Sequence, residues 1–546
     1  DRYRKITVRM TLNHVSGIPG TEGRNSFGFQ YDDNVKKETI DTLSRAHLKH
    51  APGAMAVYCN DGFTLAEMIV ERVSGRRYMD FLNNRIFKPL GLRNTGIGVG
   101  EIKGKPVAFY YDPKTGKKHP LETLSVLGAG GLSSTAVELC RFMDAFSVKG
   151  KLLEKASLTE MKKAQPSAFW GKLRNPTFSF GLGWDMTGLP RYDAAGIQIL
   201  GKSGGTGNYS SMVFTVPDRR ISVAVIAAGT ESGAMKIALD MLDAVLVEKR
   251  LIAKEEKSVL IPPEAQTLPQ DHASFSGYYA DGMKLGQLVF DADKNAATLY
   301  IFKGQEKTPA GTLIYNNGYY HDAEGNRSYF ADIGGEVYFV NSPLHAGIDV
   351  IVTQKVKPVE KPHSLRIDMD GRVWLRRNVG PFEGIMTVES HFIRSSTYKD
   401  LPGYVYFWGI KRIDSPEFAG MPFDAIRDQS ELTLFEKDGT TWAWISDLLY
   451  SPAETAAALK AGENSVKIGG DGYSRWMVAN EDVVVSFTKP GQGRIIIFTS
   501  DDVATYDSAL DTGDAYVARG SYIECAGVAD DVFTVKARPV TTDEKK

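Results

Sequence analysis

A lysine followed by a serine and two glycines, Lys202-Ser203-Gly204-Gly205, lies between two apolar runs of the sequence. These runs, 196–200 and 212–216, predict neighbouring antiparallel strands. A lysine at the head of a buried strand needs an anionic partner, because removing an ammonium group from water is costly. The glycines have no side chains, so a substrate backbone can approach the strand edge closely. The stretch therefore suits an acyl group or a carboxylate laid along the strand.

A second Lys-x-Gly sequence shows that the motif alone does not identify a site. Lys114-Thr115-Gly116 lies within residues 111–118, where Asp, Pro and Gly predict a solvated turn. The elements around Lys202 must therefore distinguish a functional site from a turn.

A third apolar run, 221–228, follows a turn and completes a block of adjacent antiparallel strands. Amphipathic spacing predicts helices around this block. They are expected at 6–14, after a Thr64–Glu67 capping box, from Tyr78 to a stop before Pro89, after Thr135–Glu138 and Ser157–Glu160 capping boxes, and at 233–248. Helices that flank a block of strands indicate an α+β fold with an antiparallel sheet, not a doubly wound one.

Length, composition and charge narrow the class of protein. The 546 residues, 42% of them hydrophobic and 24% charged, are typical of a globular protein, and the length suggests about three domains. A formal net charge of −1, without long charged runs, argues against nucleic acid or an anionic membrane surface as a partner. No apolar run is long enough to span a bilayer. Three separated cysteines show no metal-ligand spacing, and we expect no metal and no cofactor.

The composition changes twice along the chain. Residues 251–270 are rich in Lys, Glu and Pro and are interpreted as a linker after a first domain at 1–250. Short strand-like runs separated by Asp, Asn and Gly follow, which is typical of a barrel or a sandwich. A second break, Lys357-Pro358-Val359-Glu360-Lys361-Pro362, divides this part into a β-barrel or lipocalin-like domain at 271–360 and a second β-rich domain at 361–546.

A set of short motifs occurs in a fixed order within the first domain. It begins with 6–19 and Tyr58-Cys59-Asn60, continues with 86–92, 130–136 and 180–184, and ends with Lys202-Ser203-Gly204-Gly205. The ordered set resembles the serine β-lactamase and penicillin-binding-protein superfamily. Class C enzymes, DD-peptidases, esterases and D-aminopeptidases are the most similar groups. The resemblance implies a β-lactamase-like antiparallel sheet flanked by helices.

The resemblance also implies roles for individual residues. Tyr58 and Asn60 match the Tyr-x-Asn motif of the family, and Lys202-Ser203-Gly204 matches its Lys-Thr-Gly motif. Tyr58 would take a proton from a serine hydroxyl and pass it to the leaving group. Asn60 would bind a substrate carbonyl or a catalytic lysine. Lys202 would supply positive charge for Tyr58 and for the anionic end of the substrate.

The resemblance also gives a role to the backbone of Gly205. Each of the implied side chains has a purely structural interpretation as well. The Gly205 N–H would donate to the oxyanion together with the N–H of the nucleophile. Without the ordered motifs, Tyr58 would be a core tyrosine, Asn60 a turn residue and Lys202 a strand-end lysine. Their order in the chain favours the catalytic interpretation. His14 is interpreted as structural, with a hydrogen bond to the backbone.

The nucleophile is the main departure from the family pattern. Its Ser-x-x-Lys motif lies on a helix well before Tyr-x-Asn, which here falls before residue 1. The chain starts at Asp1 without Met or an apolar signal region, so we expect an upstream segment, either a cleaved partner chain or residues before Asp1, to carry the serine. Two Ser-x-x-Lys sequences, Ser396 to Lys399 and Ser486 to Lys489, lie in the β-rich half and are interpreted as coincidences.

The sequence therefore predicts a serine hydrolase that forms an acyl-enzyme on a small peptide, amide or ester. The two appended β domains resemble the arrangement of D-aminopeptidases, in which a loop of the C-terminal part reaches the active site. The sequence does not identify that loop. The alternatives are a catalytically inactive binding or scaffold protein with the same fold, or a β-lactamase or esterase. By resemblance alone, the protein is expected in the periplasm or outside the cell.

Overall fold

The computed structural model describes residues 3–20, 24, 26–98, 104–147, 152–165, 167–174, 180–230, 232–254, 263–291, 293–303, 306–342 and 348–541. Its α-helices lie in the N-terminal part of the chain. They are α1 Val8–Leu12, α2 Val35–Leu43, α3 Asn60–Ser74, α4 Tyr78–Leu82, α5 Lys88–Leu90, α6 Ala136–Met143, α7 Lys155–Met161, α8 Pro190–Ala194 and α9 Ala234–Glu248. Within the described residues, no helix is both long and apolar enough to cross a membrane.

The strands of this part form one three-stranded sheet and two short pairs. The strands are β1 Phe27–Gly28, β2 Gly96–Ile97, β3 Thr123–Leu124, β4 Leu132–Ser133, β5 Leu200–Gly205, β6 Tyr209–Val216 and β7 Ile221–Ala228. The sheet β5-β6-β7 is antiparallel throughout. Because side chains alternate between the two faces of a strand, β6 packs on helices on both sides. Phe214 lies in a core with Leu242 of α9, whereas Val213 lies in a core with Met143 of α6. This is the predicted α+β arrangement.

Helix termini separate the correct predictions from the wrong ones. The Thr135 side chain accepts a hydrogen bond from the Glu138 N–H, as predicted, and α9 begins after Gly233. The Thr64–Glu67 capping box is wrong, because α3 already begins at Asn60 and Thr64 lies inside it. The carboxylate of Glu67 instead accepts a hydrogen bond from the Gly128 N–H at 2.7 Å.

Three further helix predictions are corrected by the structure. The helix expected at 6–14 spans Val8–Leu12. The Ser157–Glu160 capping box is wrong, because α7 begins at Lys155. The helix expected to stop before Pro89 continues from α4 through a π-helical turn at Asn83–Phe87 into α5. Pro89 lies directly after the π-helical turn, in which the Lys88 N–H donates to the Asn83 carbonyl, and the helix ends at Leu90, one residue after the proline that cannot donate such a bond.

The region after the first domain is almost wholly β. The strands of a closed barrel are β8 Gly277–Ala280, β9 Leu285–Asp291, β10 Ala296–Lys303, β11 Glu306–Asn316, β12 Tyr319–His321, β13 Arg327–Ile333, β14 Glu336–Asn341 and β15 Val350–Lys355. Its interior is filled with side chains such as Tyr279, Tyr320 and Phe330. The barrel also packs on the first domain, because Met55 and Val57 share a buried cluster with Tyr338.

The last part of the chain holds a nine-stranded sheet and a two-sheet sandwich. The large sheet contains β16 Val373–Arg376, β17 Phe392–Arg394, β18 Ser396–Thr397, β19 Tyr404–Tyr406, β20 Ile410–Ser415, β21 Phe418–Gly420, β22 Leu432–Lys437, β23 Thr440–Ile445 and β24 Leu448–Pro452. The sandwich contains β25 Ala457–Ala458, β26 Gly462–Lys467, β27 Arg475–Val478, β28 Val483–Thr488, β29 Arg494–Phe498, β30 Ala504–Asp507, β31 Ala515–Val517, β32 Tyr522–Ala526 and β33 Val532–Pro539. Ile495 and Ile497 of one sheet and Val485 of the other meet in its core. The mostly-β prediction for this half is confirmed.

Candidate functional site

Lys202 lies on the outer strand of the three-stranded sheet and reaches three acceptors. Its Nζ donates to the Tyr58 hydroxyl at 3.3 Å, to Asp185 Oδ2 at 3.2 Å and to the Ser203 carbonyl at 2.8 Å. Burial alone would lower the pKa of Lys202, but the Asp185 carboxylate and Tyr58 outweigh burial and raise the pKa above its ordinary value. Lys202 is therefore a cation in the folded protein.

Asp185 is the anionic partner that a buried lysine requires. A bridge between Met186 and Gly201 fixes the segment that bears Asp185 against β5. Asp185 Oδ2 also accepts from the Ser203 N–H at 2.8 Å and from Ser203 Oγ at 2.6 Å. Asp185 Oδ1 lies 3.1 Å from Lys202 Nζ, so a protein carboxylate neutralises the ammonium. The sequence argument required an anion here but did not identify Asp185.

Tyr58 lies immediately before α3 and is held by stacking on His14. The two ring centroids are 4.3 Å apart with an angle of 26° between the planes. His14 also accepts a hydrogen bond on Nδ1 from the Cys59 N–H at 3.0 Å, and its carbonyl accepts from the Val57 N–H at 2.9 Å. Burial lowers the pKa of His14 to about 3. A neutral His14 therefore fixes the backbone on both sides of Tyr58 and the plane of its ring.

The outer edge of β5 presents backbone N–H groups beside this pair. Neighbouring N–H groups along a strand point to opposite edges. The Ser203 N–H points away from β6, to Asp185, whereas the Thr206 N–H donates to the Tyr209 carbonyl of β6 at 2.9 Å. By this alternation the Gly205 N–H points to the outer edge, in the direction of the Ser203 N–H.

Residues 203–205 leave this edge accessible. Ser203, Gly204 and Gly205 are all exposed. A Cβ on Gly204 would lie 2.5 Å from Ser211 Oγ, so this hydroxyl would have to turn away, and a Cβ on Gly205 would meet nothing within 4 Å. The Gly205 N–H is thus available to a ligand at an open strand edge.

The structure brings Tyr58, Lys202 and Ser203 together around Asp185. Asn60, the fourth predicted side chain, is the first residue of α3, two residues after Tyr58, and is half-buried. Neither Ser-x-x-Lys sequence lies on a helix, because Ser396 is on β18 and Ser486 is on β28. Among the described residues, no group of three or more His, Cys, Asp or Glu is arranged to hold a metal ion.

Arg427 is a second residue that sequence reasoning missed. It belongs to the loop 421–431, between β21 and β22 of the nine-stranded sheet. Its guanidinium carbon lies 4.8 Å from the centroid of the Tyr58 ring. The resemblance implied that a C-terminal loop reaches the site, and the structure shows which loop contacts Tyr58. No local signal marks Arg427, because its proximity to Tyr58 depends on how distant parts of the chain pack.

The first domain is thus an α+β unit with a polar site at the open edge of an antiparallel sheet. Residues 1–248 match the family model described as Beta-lactamase. This domain belongs to the β-lactamase and penicillin-binding-protein superfamily, as its ordered motifs predicted.

Individual relatives match over part of their length. The chain is 28% identical over 240 residues to Penicillin-binding protein 4* of Bacillus subtilis, covering 40% of this chain and 50% of that protein. It is 24% identical over 254 residues to the D-alanyl-D-alanine-carboxypeptidase/endopeptidase AmpH of Escherichia coli, covering 44% of this chain and 63% of that protein. The chain therefore spans about half of the first relative and less than two thirds of the second.

Part of the chain is also similar to a solved structure. The D-amino acid amidase from Ochrobactrum anthropi, solved in complex with L-phenylalanine amide, is 25% identical to the chain. The match covers 46% of this chain and 72% of that one, with a TM-score of 0.36.

Proposed function

We propose that this protein is a serine hydrolase that forms an acyl-enzyme on a peptide, amide or ester. The observation that carries the proposal is the 3.3 Å hydrogen bond between Lys202 Nζ and the Tyr58 hydroxyl beside the open edge of β5. A cation that donates to a phenol oxygen stabilises negative charge on it, and such an oxygen can accept a proton from a serine hydroxyl. Membership of the first domain in a superfamily with hydrolase relatives supports this reading.

In the proposed reaction the serine proton moves to Tyr58 Oη as the serine oxygen bonds to the substrate carbonyl carbon. The Gly205 N–H donates to the carbonyl oxygen as it becomes negative. Tyr58 then returns the proton to the leaving nitrogen or oxygen, the bond to that group breaks, and an acyl-enzyme remains. A water molecule then gives a proton to the same Tyr58 oxygen as the water oxygen bonds to the acyl carbon. The ester bond to the serine breaks, Tyr58 returns the proton to the serine oxygen, and the acid is released. Asn60 is assigned to the substrate carbonyl or to a catalytic lysine.

The attacking serine is the part of the proposal that this sequence does not supply on a helix. The proposal requires that this serine belong to a Ser-x-x-Lys motif of the family's type. The names of the relatives suggest which substrates to test first, namely peptides that end in D-Ala-D-Ala and amides of D-amino acids.

A covalent probe tests the proposal in the full-length protein. We expect a fluorophosphonate or penicillin to add one adduct mass, measured on the intact protein, and peptide mapping to place it on a serine of a Ser-x-x-Lys motif. The control is a sample denatured before labelling, which should not react. A full-length protein without any adduct, and without a helical Ser-x-x-Lys motif, would instead support a binding or scaffold protein that retains the fold.

A further inference from the structure

A buried carboxylate holds the turn that follows the proposed oxyanion donor. The hairpin of β5 and β6 closes where the Thr206 N–H donates to the Tyr209 carbonyl at 2.9 Å. Glu122 Oε1 accepts from the Gly207 N–H and Glu122 Oε2 accepts from the Asn208 N–H, each at 3.2 Å. The Thr206 hydroxyl donates to the same carboxylate. The buried Glu122 therefore binds three consecutive residues of the turn.

The turn has no spare room on the side of this carboxylate. A Cβ on Gly207 would lie 2.9 Å from Glu122 Oε1 and 3.0 Å from Met386 Sδ. Met386 belongs to a 3₁₀ helix of the C-terminal half, Ile385–Ser390. The turn is thus packed against side chains from both halves of the chain, and even a methyl group at its first loop residue would displace it.

One strand connects the two segments that contact the turn. Glu122 directly precedes β3, in which Thr123 pairs with Gly28 of β1. Gly28 also forms a bridge with Glu383, three residues before Met386. Because β1 pairs with both segments, the backbones that carry Glu122 and Met386 are held in register with each other.

The residue before this turn gives the contact a consequence for the site. Gly205, whose N–H points to the outer edge of β5, directly precedes Thr206. A donor stabilises an oxyanion at about 2.7–3.1 Å from the oxygen, so a small displacement of the turn would move the Gly205 N–H out of range. We propose that Glu122 is a positioning residue that fixes the turn and, through it, the direction of the Gly205 N–H. This inference rests on the proposed function and adds to it a residue that acts through the backbone.

Glu122→Gln tests this role in the full-length protein. The variant keeps the size of the side chain, but its amide nitrogen faces a backbone N–H, so one hydrogen bond to the turn is lost. Removing an oxyanion donor lowers kcat by about a hundredfold to about a thousandfold. A donor that is only displaced should cost less, and we expect kcat for the p-nitroanilide of D-alanine to fall about tenfold. KM should stay within about twofold, because the contact matters in the transition state and not in the ground state.

A boronic acid gives a second measurement that does not depend on turnover. Phenylboronic acid forms a tetrahedral anion with a reactive serine, and one oxygen of this anion takes the place of the oxyanion. We expect its dissociation constant, measured by calorimetry, to rise about tenfold in Glu122→Gln, by the same factor as kcat falls. A residue that only supports the fold would leave this constant unchanged in the folded variant.

Glu138→Gln is the matched control. Glu138 is a buried carboxylate of the same domain that also accepts from two neighbouring backbone N–H groups, those of Arg93 at 2.8 Å and Asn94 at 2.9 Å. These residues precede β2 and not the hairpin of β5 and β6. The chemical change is the same, and we expect kcat and the affinity for phenylboronic acid to stay at the wild-type level. Equal losses in both variants would show a general effect on the fold, and the inference would be wrong.

Gly207→Ala tests the same contact from the side of the turn and leaves the carboxylate in place. Its Cβ would meet Glu122 Oε1 and displace the turn, so we expect the same fall in kcat and in the affinity for phenylboronic acid. Gly171→Ala is its control, because a Cβ there would meet nothing within 4 Å. If Glu122→Gln does not fold, Gly207→Ala decides the question.

The wild-type protein separates failure of this inference from failure of the proposed function. If it neither cleaves the anilide nor binds phenylboronic acid, and no fluorophosphonate adduct forms, the proposed function fails and the role of Glu122 fails with it. If it binds phenylboronic acid without cleaving the anilide, the change in the dissociation constant alone decides. An active wild-type protein whose Glu122→Gln and Gly207→Ala variants keep both kcat and this affinity overturns the inference and leaves the proposed function intact.

Discussion

The molecule contains two clusters of charged side chains that differ in their contact with solvent. In the site of the first domain, Lys202 remains 30% exposed and Arg427 51% exposed. In the C-terminal half, Arg376 is 1% exposed and the side chains of Glu383 and His391 are inaccessible. The first cluster leaves donors and a strand edge open, whereas the second is closed to any ligand. Charge alone therefore does not identify a functional site, and access to solvent distinguishes the two clusters.

The charges of the closed cluster are paired among its own members, although Arg376 Nε and Glu524 Oε1 are buried without a hydrogen-bond partner among the described residues. Arg376 contacts both oxygens of Glu383, at 3.0 Å and 2.8 Å, and His391 Nδ1 lies 2.9 Å from Glu524 Oε2. Burial alone would raise the pKa of Glu383, but Arg376 and His391 lower it to about 2. The Gly384 N–H next to Glu383 donates to the Phe27 carbonyl at 2.9 Å. This cluster thus supports a junction between the first domain and the C-terminal half.

The largest effect is expected from breaking the closed cluster. Arg376→Met removes one partner of a buried ion pair and leaves the Glu383 carboxylate without its main counter-charge, so we expect a loss of about 3–5 kcal/mol in the free energy of unfolding. Urea denaturation followed by tryptophan fluorescence measures this loss. Arg412→Met removes an arginine that is 49% exposed and should leave the unfolding midpoint unchanged. Equal losses in the two variants would show that burial does not separate the clusters.

The open cluster should respond chiefly in activity. Tyr58→Phe removes the proposed proton carrier, and Lys202→Ala removes the charge beside it, so we expect each to lower kcat/KM by at least about a hundredfold. Tyr58→Phe should leave the unfolding midpoint nearly unchanged, whereas Lys202→Ala leaves the Asp185 carboxylate, which is 7% exposed, without its counter-charge, so the activity of that variant is measured well below its own unfolding transition. Tyr111→Phe makes the same chemical change at a tyrosine that is 57% exposed and should leave activity intact. Near-wild-type kcat/KM in the Tyr58 or Lys202 variant would contradict the assigned role.

The sheet that carries the open cluster is predictable because its sequence pattern is local. β-Branched runs interrupted by Pro217 and Asp218 are sufficient to predict β6 and β7. Helix starts are less certain, since Thr64-x-x-Glu67 and Thr135-x-x-Glu138 have the same pattern and only the second begins a helix. Glu67 contacts Gly128 and lies 3.4 Å from Lys36, and these partners are distant in sequence. Tertiary contacts therefore override the capping pattern.

Long-range partners account for what the sequence does not predict in both clusters. Tyr58 and Lys202 are joined by a hydrogen bond. This contact could be predicted because the ordered motifs that contain the two residues resemble one family. Asp185 was not predicted, although a buried lysine required an anion, because several acidic residues satisfy that requirement equally well before the fold is known. Arg427 reaches Tyr58 from a loop of the C-terminal half, and Arg376 of β16 reaches Glu383 in the segment that follows this strand. The sequence has no periodic signal for either contact.

The sharpest comparison comes from one histidine in each cluster. Burial lowers the pKa of His14 from 6.5 to about 3, so this ring is neutral in the folded protein. Burial would also lower the pKa of His391, but the carboxylates of Glu524 and Glu383 outweigh burial and raise it above 6.5. The same side chain is thus held in opposite protonation states by its surroundings.

The two shifts predict opposite dependences of stability on pH. Below pH 6.5 the unfolded chain binds a proton at His14 that the folded protein does not bind until about pH 3, so stability falls on acidification, by about 1.4 kcal/mol per pH unit. The contribution of His391 is complete below pH 6.5 and is lost as the pH rises through its raised folded pKa. We expect the unfolding free energy of wild type minus His14→Gln to decrease toward acid, and that of wild type minus His391→Gln to decrease toward base, between about pH 4 and about pH 9. If the two free-energy differences changed with pH in the same direction, the surroundings of His14 and His391 would not hold the two rings in opposite protonation states.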